Sequence, residues 1–358
     1  MTPLCSTTMA RILDEDTRAV LARDLPWERL SGSTVVVTGA GGFLGGHVVR
    51  ALAALHRLGK VERPLRIVAL VRDLARARAR FAGAPEAQGI AFLHHDLNAI
   101  AVPDLGDANY VIHAASQASP RFYGSDPVGT LLPNAVGTAA LLEALRRARD
   151  PRGFLFVSSS EVYGAVADTE RLPEHRLGVV DPATVRACYA ESKRMGETMC
   201  VAWHHQHGLP ASIVRPFHTY GPGLAADDGR VFADFAFNVV RGENIVMHSD
   251  GSARRAFCYA SDAVAGVLTV LLAGAPATPY NVANPAGELS VMELAELLVG
   301  LFPDKGLQVE RRAPVGQSGY LASAISRLVP DISRLAALGW SPRIGPSEGF
   351  RRMIEACA

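Results

Sequence analysis

Residues 38–45 read TGAGGFLG and lie between a short β-branched run and a long stretch with helical spacing. Three of the glycines stand three residues apart, in the pattern G-x-x-G-x-x-G. Glycine permits a tight turn here and lets a diphosphate approach the backbone N–H groups that open a helix. The stricter pattern G-x-G-x-x-G fails at Leu44, so the glycines alone are weak evidence. Their position between a strand and a helix predicts a dinucleotide-binding turn.

The chain beyond this turn alternates short β-branched runs with long helical stretches. This alternation is typical of a parallel sheet that is covered by helices on both faces. It predicts an α/β fold: a Rossmann-type doubly wound parallel sheet with a smaller C-terminal substrate-binding region. The predicted strands are Thr34–Thr38, Arg66–Val71, Ile90–Leu93, Tyr110–His113, Phe154–Ser158 and Ser212–Arg215.

Periodic apolar residues predict long helices between these strands. The three longest are His47–Leu58, Thr130–Arg147 and Ala183–Gln206. Asp181 and Pro182 are predicted to cap and begin the last of them, because both residue types are favoured at helix starts.

The order of strands and helices divides the chain into three parts. Residues 1–31 are predicted to be an accessory N-terminal segment with helical spacing. Residues 32–216 are the predicted NAD(P)-binding Rossmann domain, with later returns near 256–283. Residues 217–255 and 284–358 contain shorter elements separated by turns, and they are the predicted substrate-binding region.

The amino-acid composition and net charge indicate which kind of partner to expect. The 358 residues are 49% hydrophobic and carry a formal net charge of +1, which predicts a large core and no basic surface stripe. We therefore expect a small-molecule partner, and neither nucleic acid nor membrane. The five cysteines lack metal-ligand spacing, and the first residues contain no apolar run of signal-peptide length. These features predict a cytoplasmic protein without a metal site.

The end of the second predicted strand should contact the adenosine ribose of a bound dinucleotide, and it reads Val71-Arg72-Asp73. Asp73 favours a free 2′-hydroxyl, as in NAD, whereas Arg72 favours a 2′-phosphate, as in NADP. The choice between NAD and NADP stays open on these residues. After the third strand, Asp96 is placed to meet the adenine edge, and an ordinary exposed loop acid explains it equally well.

A Tyr-x-x-x-Lys pair lies on the helix predicted before the sixth strand. Tyr189 and Lys193 project from one helix face, so the ammonium can lower the pKa of the phenol and let it act as a base. Such pairs are frequent by chance. The end of the fifth strand adds weight, because Ser159, Ser160 and Glu161 supply hydroxyls and a carboxylate at the edge where a doubly wound fold binds its ligand.

Several segments together resemble one family. The glycine turn, His113-Ala114-Ala115, residues 160–164, the Tyr-x-x-x-Lys pair and Arg215-Pro216 resemble an extended short-chain dehydrogenase/reductase that acts on nucleotide sugars. Four longer segments, residues 114–120, 187–194, 228–231 and 251–259, are most similar to the UDP-glucuronate decarboxylase (UDP-xylose synthase) group of that family. The resemblance covers roughly residues 32–350.

The resemblance implies roles for individual residues. The implied catalytic residues are Tyr189, Lys193, Ser159, Ser160 and Glu161. The implied cofactor is NAD, with NADP possible, and it would be bound by Gly39, Gly42, Phe43, Leu44, Gly45, Arg72, Asp73, Asp96, Leu97, Ala114, Ala115, Tyr189 and Lys193. The nucleotide sugar would be bound by Ser116, Gln117, Ser119, Glu161, Arg230 and Arg255. A homodimer formed through the long helices is also implied.

The resemblance further implies transient oxidation of a sugar C4-hydroxyl, with the hydride returned in the same cycle. The pair Ser160-Glu161 stands where a 4,6-dehydratase of the family typically has Asp-Glu, and a C4 epimerase usually has a small residue in place of the Glu. This favours decarboxylation of a UDP-glucuronate-like nucleotide uronate. A 4,6-dehydratase and a C4 epimerase stay open, as does a non-catalytic dinucleotide-sensing protein, which the intact Tyr189 and Lys193 disfavour.

Four positions depart from the family pattern. Gln117 replaces a proline, Ser192 a glycine, His218 an asparagine and Gly223 an arginine. These departures leave the nucleotide and the sugar undetermined.

Overall fold

The computed structural model describes residues 7–85, 87–99, 101, 104–166, 171–312 and 327–358. Its strands are β1 (Thr34–Thr38), β2 (Arg66–Val71), β3 (Ile90–His94), β4 (Tyr110–His113), β5 (Gly153–Val157), β6 (Ala211–Pro216), β7 (His218–Tyr220), β8 (Ile245–Met247), β9 (Arg254–Tyr259), β10 (Pro279–Val282), β11 (Glu288–Ser290), β12 (Val309–Arg311) and β13 (Arg327–Leu328). Seven of them form one parallel sheet in the order β10-β6-β5-β4-β1-β2-β3. All six predicted strands are present, with ends within one residue of the predicted ones.

The α-helices are α1 (Thr7–Leu21), α2 (Phe43–Arg57), α3 (Leu74–Phe81), α4 (Arg121–Ser125), α5 (Pro127–Leu132), α6 (Thr138–Arg146), α7 (Ala187–His207), α8 (Val231–Arg241), α9 (Ala260–Ala273), α10 (Val291–Leu301), α11 (Ser333–Ala336) and α12 (Pro346–Cys357). Helices cover both faces of the large sheet. Val35 and Val37 pack in a core with α2 and α9, whereas Val36 between them packs in a core with α6 and α7. The predicted fold class is confirmed.

The strands of the large sheet are buried on both faces, which is why they read as continuous apolar runs. All residues of β4 and β5 are buried. The order of the strands reverses beside β1, which lies between β4 and β2. The connections after β1 and β4 therefore diverge and open a crevice at the carboxyl edge of the sheet, the usual ligand site of a doubly wound fold.

A smaller region with its own apolar core stands beside the large sheet. Its central strand β9 pairs with β7, β11 and β13. Phe257 on this strand makes edge contacts with Phe232 of α8 and with Phe350 of α12, each with ring centroids 5.7 Å apart. These aromatic contacts join helices from distant parts of the chain to β9.

The N-terminal segment packs against both regions, because α1 contacts α2, α9 and α12. The Tyr259 hydroxyl donates to one carboxylate oxygen of Asp16 at 2.7 Å, and Arg352 pairs with the other at 3.2 Å. Beyond the helix, Arg23 forms a buried ion pair with Asp262 at 2.6 Å. The segment contains the predicted helix, and these polar contacts join it to β9, α9 and α12.

The predicted start of the third long helix is wrong. Helix α7 begins at Ala187, and Asp181 forms a separate turn before it. The Asp181 carboxylate accepts the backbone N–H of Ala183 at 3.0 Å, and its carbonyl accepts the N–H of Thr184. Asp181 therefore caps this turn and Pro182 lies within it, because Asp and Pro favour tight turns as strongly as helix starts.

The helix predicted over residues 130–147 is observed as the run Pro127–Arg146, which begins three residues earlier, ends one residue earlier and has a π-helical turn at Pro133–Gly137. Asp126 caps its start by accepting the N–H of Gly129 at 3.0 Å. By length and composition this run could cross a membrane, and half of it is buried inside the protein. Core helices pass the same test, so the expectation of no membrane partner stays a prediction.

Candidate active site

The glycine turn joins β1 to α2 at the crevice. Gly39 has a φ of +68°, and a Cβ on it would lie 2.7 Å from backbone atoms of Ala114 and Ala115. A Cβ on Gly45 would lie 2.4 Å from the carbonyl oxygen of Gly39. The backbone of the turn therefore packs so tightly, against itself and against the residues that follow β4, that Gly39 and Gly45 have no space for a side chain. Helix α2 begins at once after Gly42, so its free N–H groups are available to a diphosphate.

Unsatisfied polar atoms lie along the same edge of the sheet. His95 Nε2 and Asn98 Oδ1 follow β3, and Ser116 Oγ and Gln117 Oε1 follow β4. All four atoms are buried; His95 Nε2, Asn98 Oδ1 and Gln117 Oε1 have no hydrogen-bond partner among the described residues, whereas Ser116 is near enough to Tyr189 to lower the pKa of the phenol by hydrogen bonding. Because buried polar atoms are normally paired, this edge suits a ligand that carries several donors and acceptors. A dinucleotide laid across the glycine turn fits these residues.

Of the residues predicted to bind the adenosine, Asp73 and Asp96 form hydrogen bonds with backbone groups close to them in the chain. At the end of β2, Arg72 and Asp73 are exposed, and Asp73 caps α3 by accepting the backbone N–H of Arg76 at 2.9 Å. After β3, the Asp96 carboxylate accepts a backbone N–H two residues on at 3.0 Å, and Leu97 is buried. Their contacts with ribose and adenine stay predictions.

Tyr189 and Lys193 lie on a buried face of α7, where their side chains are 4% and 2% exposed. The Lys193 ammonium donates to the carbonyl of Val157 at 2.6 Å and lies 5.8 Å from the centroid of the Tyr189 ring. Burial lowers the pKa of Lys193 to about 7 and raises the pKa of Tyr189 to about 12. At neutral pH the phenol is therefore protonated, whereas the lysine titrates.

The three residues that follow β5 reach the same place. The Ser159 hydroxyl accepts the backbone N–H of Glu161 at 3.2 Å and begins a 3₁₀ turn, in which Ser160 is 7% exposed. After burial, the largest effects on the pKa of Tyr189 are a lowering by hydrogen bonding with Ser159 and a raising by the charge of Glu161. The predicted catalytic residues thus come together at the end of β5.

Two residues that the sequence reasoning missed complete this neighbourhood. The ring of Tyr123 stacks on Tyr189, with centroids 5.0 Å apart and planes 16° from parallel. The Arg186 guanidinium lies 4.8 Å from the centroid of Tyr123 and donates to the Glu161 carboxylate at 2.9 Å. No sequence signal separates Arg186, three residues before Tyr189, from an ordinary arginine at a helix start.

A buried ion pair beside Lys193 was also missed. Arg215 of β6 donates to both carboxylate oxygens of Glu197, at 2.8 and 2.6 Å, and Ser158 donates to one of them at 2.5 Å. The negative charge of Glu197 raises the pKa of Lys193 against the larger lowering by burial. Only the spacing of four residues from Lys193 to Glu197 could have indicated it.

The departure at Ser192 has a structural explanation. Its hydroxyl donates to the carbonyl of Tyr189 at 3.0 Å and accepts from Asn134 at 3.1 Å. Asn134 lies in the π-helical turn, so the serine joins α7 to that turn. A glycine could not make these bonds.

The predicted substrate residues of the smaller region lie near His218 on β7. Burial lowers the pKa of His218 to about 3, and the charges of Arg255 and Arg230 lower it further. Arg230 is held by the Asp228 carboxylate, with 2.9 Å between Nη2 and Oδ2, and the Ser119 hydroxyl donates to the Asp228 carbonyl. Two arginines and a neutral histidine therefore lie near one another, and the charge of Arg230 also lowers the pKa of Tyr189, so this group of residues suits an anionic ligand.

Residues 35–283 match the NAD dependent epimerase/dehydratase family. The chain belongs to this family. The matched residues include the glycine turn, the crevice and the Tyr-x-x-x-Lys pair, and the family is of the extended short-chain dehydrogenase/reductase type. The predicted family and the prediction of a NAD-dependent enzyme are confirmed.

Curated relatives extend the likeness over most of the chain. UDP-glucuronic acid decarboxylase 6 of Arabidopsis thaliana is 33% identical over 327 residues, which are 91% of this chain and 89% of that protein. UDP-glucuronic acid decarboxylase 1 of Xenopus tropicalis is 34% identical over 269 residues, 74% of this chain and 59% of that protein.

Solved structures of the same fold include UDP-glucuronic acid 4-epimerase from Bacillus cereus, with a TM-score of 0.74, 22% identity and coverage of 90% of this chain and 98% of that one. Another is DesIV, a dTDP-glucose 4,6-dehydratase from Streptomyces venezuelae, with a TM-score of 0.74, 23% identity and coverage of 90% and 95%. At these identities the likeness concerns the fold. The roles of single residues and the domain boundaries stay predictions.

Proposed function

We propose that this enzyme decarboxylates a nucleotide uronate of the UDP-glucuronate type to the corresponding nucleotide pentose. The observation that carries the proposal is the pair Ser160-Glu161 beside Tyr189 and Lys193. A dehydratase of this family needs a second acid to protonate the leaving hydroxyl, and a serine stands in that position. The names of the curated relatives support the same reaction.

Tyr189 is the proposed base that takes the proton of the sugar C4-hydroxyl. Its pKa of about 12 opposes proton removal, so the phenolate needs nearby positive charge. Lys193 is the proposed source, because its ammonium donates to the Val157 carbonyl and lies 5.8 Å from the centroid of the ring, and the charge of Arg230 also lowers the pKa of Tyr189. Ser159 offers the phenolate a hydrogen bond. A bound nicotinamide dinucleotide supplies the hydride acceptor and donor for this chemistry.

Oxidation at C4 makes the uronate a β-keto acid, whose C5–carboxylate bond breaks to release CO2 while its electrons pass toward the ketone oxygen. A proton then adds to C5 and the hydride returns to C4. The net change is one nucleotide uronate and one proton to one nucleotide pentose and CO2. Ser160 is buried and small, and it leaves room for the substrate carboxylate next to Glu161.

Product analysis tests the proposal. The purified enzyme is incubated with UDP-glucuronate, UDP-glucose and dTDP-glucose, with NAD or NADP added, and the nucleotide products are weighed by mass spectrometry. We expect loss of CO2 from the uronate alone, and no product from the matched Tyr189→Phe variant. Loss of water from a hexose substrate establishes a dehydratase instead, and an isomer of unchanged mass establishes an epimerase.

We also propose a homodimer formed through the long helices. Support comes from exposed apolar side chains on these helices, which include Val128 and Leu131 of α5 and Met195 and Val201 of α7. Light scattering that gives the mass of one chain contradicts it. A cytoplasmic location is proposed on composition, and localisation of a tagged chain tests it.

A further inference from the structure

In the part of the chain that the structure describes, the Glu161 carboxylate forms an ion pair with Arg186. Arg186 donates to Glu161 at 2.9 Å, with the two side chains 21% and 30% exposed. Glu161 lies in the turn that follows β5, and Arg186 precedes the first residue of α7. The pair therefore joins the two elements that carry the proposed catalytic residues.

The Arg186 side chain is itself fixed in place. Its guanidinium lies 4.8 Å from the centroid of Tyr123, whose hydroxyl donates to the carbonyl of Ala118 at 2.9 Å. Tyr123 in turn stacks on Tyr189. Because a guanidinium favours both an aromatic face and a carboxylate, this arrangement fixes its charge beside Glu161 without extra ordering cost on binding.

A uronate creates an electrostatic conflict in this site. The proposed substrate carboxylate must lie close to Glu161, and two carboxylates at such a distance repel each other strongly in a partly buried place. The guanidinium of Arg186 cancels the charge of Glu161. It also keeps donor capacity, because Nε is buried and has no hydrogen-bond partner among the described residues.

We propose that Arg186 is a specificity-determining residue, whose charge, placed against Glu161 and Tyr123, allows a nucleotide sugar with a carboxylate at C5 to bind in preference to one with a neutral C6 group. This inference rests on the proposed function. Arg186 acts through Glu161, so it is a positioning residue rather than a catalytic one.

Binding measurements separate the charge effect from a structural one. Dissociation constants for UDP-glucuronate and UDP-glucose are measured by calorimetry with cofactor-saturated protein. Arg186→Gln is expected to weaken uronate binding by about tenfold or more and to leave UDP-glucose binding nearly unchanged. Glu161→Gln is expected to shift the preference the other way, toward the uronate. The double variant, which restores neutrality, is expected to regain uronate binding.

Two control variants test the charge effect: one removes an arginine elsewhere in the chain, and the other replaces Arg186 by another cation. Arg176→Gln removes an exposed arginine of the connecting segment before α7 and is expected to change neither constant. Arg186→Lys keeps the charge and is expected to keep most of the uronate preference. If Arg186→Gln weakens both nucleotides equally, or if Glu161→Gln does not raise the preference for the uronate, the inference is overturned.

The proposed function and the inference about Arg186 can be refuted by different results. Wild-type enzyme that binds UDP-glucuronate and releases no CO2 refutes decarboxylation, while the binding ratios of the variants still decide the role of Arg186. Wild-type enzyme that releases CO2 and an Arg186→Gln variant with an unchanged binding ratio refute the inference alone. A wild-type enzyme that does not bind UDP-glucuronate overturns both.

Discussion

Replacement of Lys193 by methionine should abolish activity and stabilise the fold. Burial lowers the pKa of Lys193 from 10.5 to about 7, so the folded state holds this ammonium at a cost of about 5 kcal/mol at pH 7 and below. Methionine removes the charge but leaves the Val157 carbonyl without its 2.6 Å partner, which costs about 1–3 kcal/mol. The expected net gain in the free energy of unfolding is roughly 2–4 kcal/mol at pH 7.

The dependence on pH identifies the cause of that gain. Between about pH 7 and 10.5 the unfolded wild-type chain binds a proton that the folded chain has released, so the free energy of unfolding of the wild type rises with pH. The advantage of Lys193→Met should therefore shrink across this range. Urea unfolding at pH 7, 8.5 and 10, with matched nucleotide content, measures it. A difference between the two proteins that stays constant with pH refutes the reasoning.

Three further changes have expected outcomes. Gly45→Ala places a Cβ 2.4 Å from a carbonyl oxygen of its own turn and should remove bound dinucleotide, measured as nucleotide released on denaturation, whereas Gly89→Ala, at an open position, should retain it. Glu197→Gln removes the negative charge that balances Arg215 in a buried site, where Arg215 keeps its bond to the Glu174 carbonyl, and should lower the free energy of unfolding by about 3–5 kcal/mol; an unchanged urea midpoint contradicts this. Burial raises the pKa of Asp16 from 3.8 to about 6, so its unfavourable contribution to stability grows from about pH 4 to 6 and is complete above that range. Asp16→Asn should lack this component, and equal pH slopes for the two proteins count against it.

The fold was predictable because its signals are local. Buried parallel strands read as short apolar runs, and the turn after β1 needs glycine at positions where a Cβ would collide with backbone atoms. Tyr189 and Lys193 were predictable for the same reason, since one helical turn separates them. The start of α7 was predicted wrongly because a helix start and a tight turn have the same local signal: Asp181 and Pro182 are favoured in both.

The contacts that tune the site were not predictable from sequence. Arg186 and Glu161 are 25 residues apart along the chain, and their pairing depends on where α7 begins against the turn after β5. Glu197 meets Arg215 only because α7 packs on β6. In the sequence, each of these residues is indistinguishable from an ordinary charged surface residue. Its partner is determined by the packing of elements that are distant along the chain.

The docking of α1 has a consequence for how the chain assembles. Asp16 reaches Tyr259 and Arg352, which lie 243 and 336 residues further along the sequence. During synthesis these partners leave the ribosome long after the helix that needs them, and contacts of such sequence separation form late in folding. Helix α2 follows α1 closely and covers one part of its apolar face, whereas the part that meets α9 and α12 stays uncovered until those helices have been made.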